Sequence, residues 1–209
     1  MATMRKDKKA ATRQALKAAA LSCFTKQGYL EASIGSITRE AGVAHGTFYV
    51  HFPSKEAALD ELLADFNAGF IERVLPIVSD MGERAPRQLI RATAQVFLDY
   101  WSEHRAFIES YVQRVAQGLS LIAMRDGLSP PLMKTVSGWV AVMAKARGHE
   151  VANVDFIAQS LLAMWFRVGL QVLFSDQVNR DEALDLLERM TWGAVAAVLP
   201  TAVEENRDL

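Results

Sequence analysis

The sequence predicts an all-α protein with two domains and about nine helices. Apolar residues recur at the spacing of one helix face through most of the 209 residues. No segment shows the two-residue alternation of a half-buried strand, and glycines and prolines mark the ends of the periodic segments. With 51% apolar residues, the chain has ample material for a hydrophobic core.

The N-terminal segment MATMRKDKKA is basic and lacks periodicity. It is typical either of a solvated terminus or of an arm that reaches phosphates or the minor groove of DNA. The candidate cations in it are Arg5, Lys6, Lys8 and Lys9. The first helix is predicted from Thr12 to Gln27, where Gly28 ends it. Cys23, the single cysteine, lies on the apolar stripe of this helix, which favours buried packing and a reducing compartment.

Residues 33–52, SIGSITREAGVAHGTFYVHF, predict two short helices joined by a tight turn, an arrangement that lays the second helix in the major groove of DNA. Ser33 is a good N-cap, and Gly42 falls where the chain needs a positive φ. The second helix would pack Phe48 and Phe52 inward. Its predicted outward side chains are small, polar or flat, without long acidic groups: His45, Gly46, Thr47, Tyr49 and His51.

The distribution of charge supports this interpretation. Residues 1–55 carry a net charge of +6, whereas the rest of the chain carries −7. A basic end on an acidic body is expected of a DNA-binding head. We therefore predict a DNA-binding domain at residues 1–53 and a second domain at residues 54–209.

A fourth helix is predicted to begin after Pro53 with Ser54 as its cap. The amides at this N-terminus, together with Lys55, predict a phosphate clamp. Pro76 predicts a kink or an end of the helix. Because this helix begins beside the DNA backbone and ends in the next domain, we expect it to link the two domains.

The remaining helices are predicted from periodicity and from breaker residues. Their bounds are Pro86–His104, Phe107–Gln117, Leu119–Arg125, Leu132–Arg147, Val154–Phe174 and Asp181–Leu199. The helix Val154–Phe174 is apolar nearly all round, and the last helix carries small residues that permit close packing. We predict that this pair forms a four-helix interface in a homodimer. Arg167 and Gln171 fit a solvent-facing edge, an interfacial hydrogen-bond pair or a ligand contact.

The chain resembles the DNA-binding end of the tetracycline-repressor (TetR) family over roughly residues 10–60. The residues that carry the resemblance are Gly28-Tyr29, Ser33-Ile34, Ile37, Ala41-Gly42-Val43, Gly46-Thr47-Phe48-Tyr49, His51-Phe52, Ser54-Lys55-Glu56 and Leu59. Thr38 stands where the family usually has alanine, and Ala44 stands where it usually has a serine cap. The resemblance implies a cytoplasmic transcriptional regulator, most simply a repressor, whose dimer binds a palindromic operator and is released by a small, mainly apolar effector. It also implies that residues 54–209 form an effector-binding and dimerisation domain.

The motif also suggests which side chains contact double-stranded DNA. We expect His45, Gly46 and Thr47 to contact bases, because glycine permits close approach and threonine can meet a thymine methyl group. We expect phosphate contacts, which set register rather than sequence, from a second group. That group is Ser33, Thr38, Tyr49, His51 and Lys55.

A set of aromatic, methionine and polar residues in the later helices predicts an effector pocket. The candidates are Phe66, Phe97, Tyr100, Trp101, His104, Phe107, Tyr111, Arg114, Trp139 and Met143. Ordinary core packing, helix capping or solvent exposure is the open alternative for each of them. A filled core without a pocket would instead indicate a constitutive architectural DNA-binding protein.

Other classes of function find little support. The four histidines, His45, His51, His104 and His149, do not form the His-Glu-x-x-His spacing of zinc enzymes, and no nucleophile elbow or phosphate-binding glycine loop occurs. We therefore expect no enzyme activity, no metal site and no cofactor. No run of 18 apolar residues occurs, so no membrane span is expected.

Overall fold

The computed structural model describes residues 2–79, 85–117, 130–145, 151–175 and 177–198. Those ranges contain nine α-helices and no strand, so the all-α prediction is confirmed. The helices are α1 (Ala2–Gln27), α2 (Ile34–Glu40), α3 (His45–His51), α4 (Lys55–Ser79), α5 (Pro86–Glu103), α6 (Arg105–Gln117), α7 (Pro130–Lys145), α8 (Val154–Phe174) and α9 (Arg180–Val198). The predicted helix Leu119–Arg125 lies outside the described residues.

Two helices differ from their predictions by more than the one or two residues at an end seen for α5, α6, α7 and α9. Helix α1 begins at Ala2 rather than Thr12, so the basic N-terminal segment is helical, and Lys6, Lys8 and Lys9 are exposed along it. Alanine, lysine, arginine and methionine are good helix formers, and this composition outweighs the missing apolar stripe. Helix α4 continues past Pro76 to Ser79, where the proline lies near the helix end.

The chain divides into two compact units. The head unit comprises α1 to α3, α4 up to Phe66, and α6; the body unit comprises α4 from Asn67, α5, and α7 to α9. This division differs from the predicted boundary at residue 53, because α6 packs on α1. The Ser110 hydroxyl donates to the Phe24 carbonyl at 2.7 Å, and the Gln113 side-chain oxygen accepts from the Tyr29 amide at 2.9 Å.

The head unit has a continuous apolar core drawn from five helices. Its fully buried side chains include Leu16, Phe24, Ile37, Phe48, Phe52 and Leu59. Cys23 is also fully buried, as predicted, and its thiol donates to a Glu40 carboxylate oxygen at 3.2 Å. Such a core fixes α2 and α3 against α1.

The core of the body unit depends on a close approach of α5 and α8. Gly169 lies against the rings of Phe97 and Trp101, and a Cβ atom at this position would come within 2.7 Å of Trp101 carbons. The Phe97 and Trp101 ring centroids are 4.7 Å apart, and the Phe97 ring also contacts Trp165. Glycine is therefore required here by space rather than by backbone conformation.

Candidate functional site

Helix α2 begins in a complete capping box. Ser33 has extended backbone angles (φ −106°, ψ 156°), and its hydroxyl oxygen accepts from the Ser36 amide at 3.0 Å. The Ser36 hydroxyl in turn accepts from the Ser33 amide at 3.0 Å. After α2, Gly42 takes φ +66°, a conformation that favours glycine. The predicted cap and the predicted turn are both confirmed.

Helix α3 presents a surface without acidic side chains. Phe48 is fully buried, and Phe52 just after the helix is buried with it, whereas His45, Gly46, Tyr49 and Val50 are exposed and Thr47 is half-buried. The His45 and Tyr49 rings lie side by side, with centroids 5.8 Å apart. Ala44 precedes the helix without a side-chain cap, so the first amides of α3 receive no side-chain acceptor from it. This surface presents the rings of His45 and Tyr49, a hydroxyl group and, at Gly46, backbone that no side chain covers.

His51 is not part of that surface. The residue is 8% exposed, and its Nδ1 atom is buried without a hydrogen-bond partner among the described residues. Burial lowers the pKa of His51, and the positive charges of Arg13 and Lys9 lower it further. The Arg13 guanidinium donates to the His51 carbonyl and to Glu61, and it lies 4.4 Å from the centroid of the Phe52 ring. The prediction that the His51 side chain faces outward to phosphates is wrong, because this last residue of α3 is buried.

Thr38 is also withdrawn from the surface. It is 3% exposed, and its hydroxyl donates to the Ile34 carbonyl one helical turn earlier, at 3.0 Å. A hydroxyl that is buried and bonded to its own helix has little to offer a phosphate. The predicted phosphate contact of Thr38 is corrected accordingly.

The ammonium group of Lys55 forms hydrogen bonds within the head unit. Its ammonium group donates to the carbonyls of Tyr29 and Ala32 at 2.8 and 2.9 Å, and the Leu30 carbonyl lies 3.5 Å away. The same group lies 4.3 Å from the centroid of the Tyr29 ring, and burial lowers its pKa. Because its N–H donors face these carbonyls, Lys55 holds the loop before α2, and we expect it to contribute little to a phosphate clamp.

Other cations remain exposed in the head unit. Arg39, in the last turn of α2, is exposed and forms no ion pair with any residue in the described ranges. The sequence analysis did not single it out, although its position beside the turn between the two helices was a usable signal. Arg39 therefore joins Ser33 and Tyr49 as a candidate for phosphates.

The body unit contains a cavity of about 100 Å³. Its walls come from α4, α5, α7, α8 and α9, and none of the described residues that line it is charged. Three threonines and two tryptophans are among its lining residues, but the surface that they expose to it is almost wholly apolar. The lining residues are Phe70, Ile71, Val74, Val78, Leu89, Ile90, Thr93, Leu132, Thr135, Val136, Trp139, Leu161, Leu162, Trp165 and Thr191. Apolar walls with few polar groups are the usual character of a site for a small molecule.

Of the ten predicted pocket residues, Trp139 lines this cavity. Phe97, Tyr100 and Trp101 are buried in the core of the body unit, and Met143 packs in a small cluster near Trp139. The other five belong to the head unit and do not line this cavity. The rings of Phe66, His104 and Phe107 form one cluster, Tyr111 is buried, and Arg114 pairs with Asp60 at 3.3 Å.

Comparison with known proteins identifies the head unit. The family model described as "Bacterial regulatory proteins, tetR family" matches residues 16–62. The uncharacterized HTH-type transcriptional regulator YuxN of Bacillus subtilis is 35% identical over 89 residues, which span 43% of this chain but only 30% of that protein. The HTH-type transcriptional regulator EthR of Mycolicibacterium smegmatis is 30% identical over 196 residues, which cover 89% of this chain and 87% of that regulator. The chain belongs to the TetR family.

A solved TetR-family structure extends the similarity to the whole fold. The Thermus thermophilus repressor FadR, solved in complex with lauroyl-CoA, has a TM-score of 0.69 and 19% sequence identity, with 87% of this chain and 94% of that chain covered. Members of the TetR family are DNA-binding transcriptional regulators and form dimers. That class is not an enzyme class.

Helices α8 and α9 expose large apolar side chains. Phe156 and Phe174 of α8 are 69% and 41% exposed, and Met190 of α9 is 45% exposed. Gly193 adds an open position, since a Cβ atom there would meet nothing within 4 Å. By length and composition alone α8 could cross a membrane, but core helices of soluble proteins meet the same criterion.

Proposed function

We propose that this TetR-family protein is a cytoplasmic repressor that binds a palindromic operator as a homodimer. The observation that carries the proposal is the outer face of α3. His45, Gly46, Thr47 and Tyr49 form a surface without acids, and it lies within the part of the chain that has a net charge of +6. Such a surface can enter a major groove without repelling phosphates.

The roles within this interface follow from exposure. His45, Gly46 and Thr47 lie in the first turn of α3, the part of a recognition helix that meets base edges. Ser33 at the start of α2, Arg39 in its last turn and Tyr49 of α3 are exposed and are assigned to phosphates. Two copies related by a two-fold axis through α8 and α9 place two recognition helices on half-sites about one DNA turn apart.

The cavity of the body unit is the proposed effector site. A small, mainly apolar molecule that binds more tightly to the DNA-free dimer shifts the population away from the operator, by no more than its difference in affinity for the two states. The lauroyl-CoA bound by the Thermus repressor supports the assignment of ligand control to this fold. The alternative, a constitutive architectural protein, is less favoured because its core would be filled.

The experiment that tests the DNA assignment is selection from random-sequence duplexes with the purified protein. We expect an inverted repeat to be enriched. We expect Thr47→Ala to lower the ratio of operator to random-sequence affinity by about tenfold, within the range of one lost base contact. A pool without an enriched motif would favour the architectural alternative, and an unchanged ratio in Thr47→Ala would remove Thr47 from the base contacts.

A further inference from the structure

One large apolar side chain is exposed on helix α3. Val50 is 67% exposed, and it lies one helical turn after Gly46, so the two residues share one strip of the helix surface. A Cβ atom at Gly46 would meet nothing within 4 Å, so this end of the strip is open. The strip therefore consists of uncovered backbone followed by an apolar side chain.

Neither packing nor helix stability accounts for a valine at this position. Val50 leaves most of its surface outside the core of the head unit, whereas Phe48 of the same helix is fully buried. Valine is a poorer helix former than alanine or lysine, because its branched side chain loses rotamer freedom in a helix. Helix α3 has only seven residues and no side-chain cap from Ala44, so a better helix former would help it. The exposed valine instead suits a contact made outside the head unit.

The charge around α3 favours double-stranded DNA as the occupant of this strip. Residues 1–55 carry a net charge of +6, and α3 itself has no acidic side chain. A basic surface attracts a polyanion and brings it close without repulsion. Because Gly46 and Val50 share one strip, a helix that brings the backbone of Gly46 to the bases brings the side chain of Val50 into the same groove.

The thymine methyl group is the feature of the major groove that a valine can recognise. The base edges otherwise present hydrogen-bond donors and acceptors. A valine placed against a donor or acceptor would displace its water without replacing the hydrogen bond, which weakens binding. Against a thymine methyl group, the same side chain buries apolar surface on both partners.

We propose that Val50 is a specificity-determining residue that contacts a thymine methyl group in each half-site of the operator. This inference rests on the proposed placement of α3 in the major groove. It adds a base identity to the contacts assigned to His45, Gly46 and Thr47. The motif enriched from random-sequence duplexes should accordingly contain a thymine in each half-site.

The test replaces thymine by uracil, which removes the methyl group and keeps the base pair. Each thymine of the enriched operator is replaced in turn, in both half-sites at once, and affinity is measured by fluorescence anisotropy. For the unaltered protein we expect one position at which uracil weakens binding about fourfold per half-site, the effect of one methyl group lost from an apolar contact. In Val50→Ala the same replacement should change affinity less than about twofold in total, because the methyl group has lost its partner.

Two further variants show whether the effect is specific to Val50. Val142→Ala is the matched control, since Val142 is 50% exposed on α7 in the body unit, and it should respond to uracil as the unaltered protein does. Thr47→Ser removes the methyl group of a half-buried α3 residue but keeps its hydroxyl, and it should also keep the response. Urea unfolding should show that Val50→Ala is folded, because the side chain is exposed and alanine favours the helix.

The outcomes separate the inference from the proposed function. If an inverted repeat is enriched but Val50→Ala keeps the full response to uracil, α3 reads DNA without Val50 and the inference is overturned. An enriched operator with no uracil-sensitive thymine overturns it as well. If Thr47→Ser loses the response and Val50→Ala does not, Thr47 makes the methyl contact. A pool without an enriched motif removes the proposed operator binding and the inference together.

Discussion

At the scale of single residues, a substitution at Gly46 can test DNA contact without disturbing the fold. It lies in the first turn of α3, and a Cβ atom there would meet nothing within 4 Å. Gly46→Ala should therefore fold normally, with a gain of up to about 1 kcal/mol from helix propensity. If α3 approaches base edges through this backbone, the added methyl should weaken operator binding at least about tenfold, the size of one good base contact.

Urea unfolding and fluorescence anisotropy with operator DNA measure the two effects. Gly138→Ala is the control, since Gly138 of α7 is equally open and lies in the body unit. Unchanged operator affinity in Gly46→Ala would show that the backbone of α3 stays away from the bases.

His51 makes the stability of the head unit depend on pH. Its pKa in the folded protein is lowered from 6.5, chiefly by burial and then by Arg13 and Lys9. The unfolded chain therefore takes up the proton more readily than the folded protein. This difference does not affect the free energy of unfolding at pH 8, but it lowers it increasingly as the pH falls through 6.5 toward the pKa of the folded state. We expect the unaltered protein to lose more stability between pH 8 and pH 5.5 than His51→Gln does.

The free energy of unfolding at each pH measures this difference. His45→Gln is the matched control, because His45 lies on the same helix but is exposed. Equal pH slopes for the unaltered protein and His51→Gln would contradict a buried, neutral histidine.

For single residues, sequence spacing could predict the side of a helix on which a side chain lies, but it could not predict contacts to main-chain atoms of a loop. His51 is three residues after the buried Phe48, so its inward position was readable from helical geometry, but its polar character led to the wrong face. The contacts of Lys55 were not readable, because they are made to main-chain carbonyls of an irregular loop. Side-chain patterns carry no information about where such carbonyls lie.

At the scale of elements, the start of α4 and the loop before α2 form one structure. Besides the contacts of Lys55, the Tyr29 hydroxyl donates to the Glu56 carboxylate at 2.7 Å. Lys55→Met keeps the apolar stem but leaves partly buried carbonyls without their charged donor. We expect a loss of about 1–3 kcal/mol in the free energy of unfolding.

The same variant decides whether Lys55 also contacts DNA. Since its ammonium is used in the loop, the slope of log affinity against log salt should remain unchanged, whereas a phosphate contact would reduce it by about 1. Lys26→Met is the control, since Lys26 is exposed and makes a surface ion pair with Glu40 at 3.3 Å. A reduced slope in Lys55→Met would restore the phosphate clamp.

The helical character and order of the segments were predictable from periodicity, but which helices pack together in the head unit or the body unit was not. Helix α6 joins the head unit through Ser110 and Gln113, which bond to residues 86 and 84 positions earlier. Such long-range pairs leave no trace in local periodicity. The bounds of α8, in contrast, were predicted to the residue, because an apolar helix between clear end signals is the strongest pattern in the chain.

At the scale of the whole molecule, the proposed dimer can be tested at Gly193. This position lies on the exposed face of α9, and nothing stands within 4 Å of a Cβ atom there. Gly193→Arg should leave the fold of each protomer intact but place a charged side chain in the proposed four-helix interface. We expect the mass in solution, measured by light scattering, to fall from two chains to one.

Gly138→Arg is the matched control, because Gly138 is equally open but lies on α7. It should remain a dimer. If Gly193→Arg also remains a dimer, the interface lies on a different surface from α9.

The two units differ in how far sequence could define their sites. The recognition surface comes from one contiguous segment of 20 residues, so its elements, its caps and most of its exposed face were predictable. The cavity is assembled from five helices distributed between residues 70 and 191. Which apolar side chains enclose space and which fill it depends on how the helices pack, so nine of the ten predicted pocket residues lie elsewhere.

Cys23 has a practical consequence for observing the effector response proposed above. It is the single cysteine of the sequence, it is fully buried, and burial and the Glu40 carboxylate raise the pKa of its thiol. Thiol reagents act on exposed thiolates, so the unaltered protein should react with them very slowly. A cysteine introduced on an exposed helix position would carry a spin label as the sole label of each chain, and the label-to-label distance in a dimer would record how far apart the recognition helices stand.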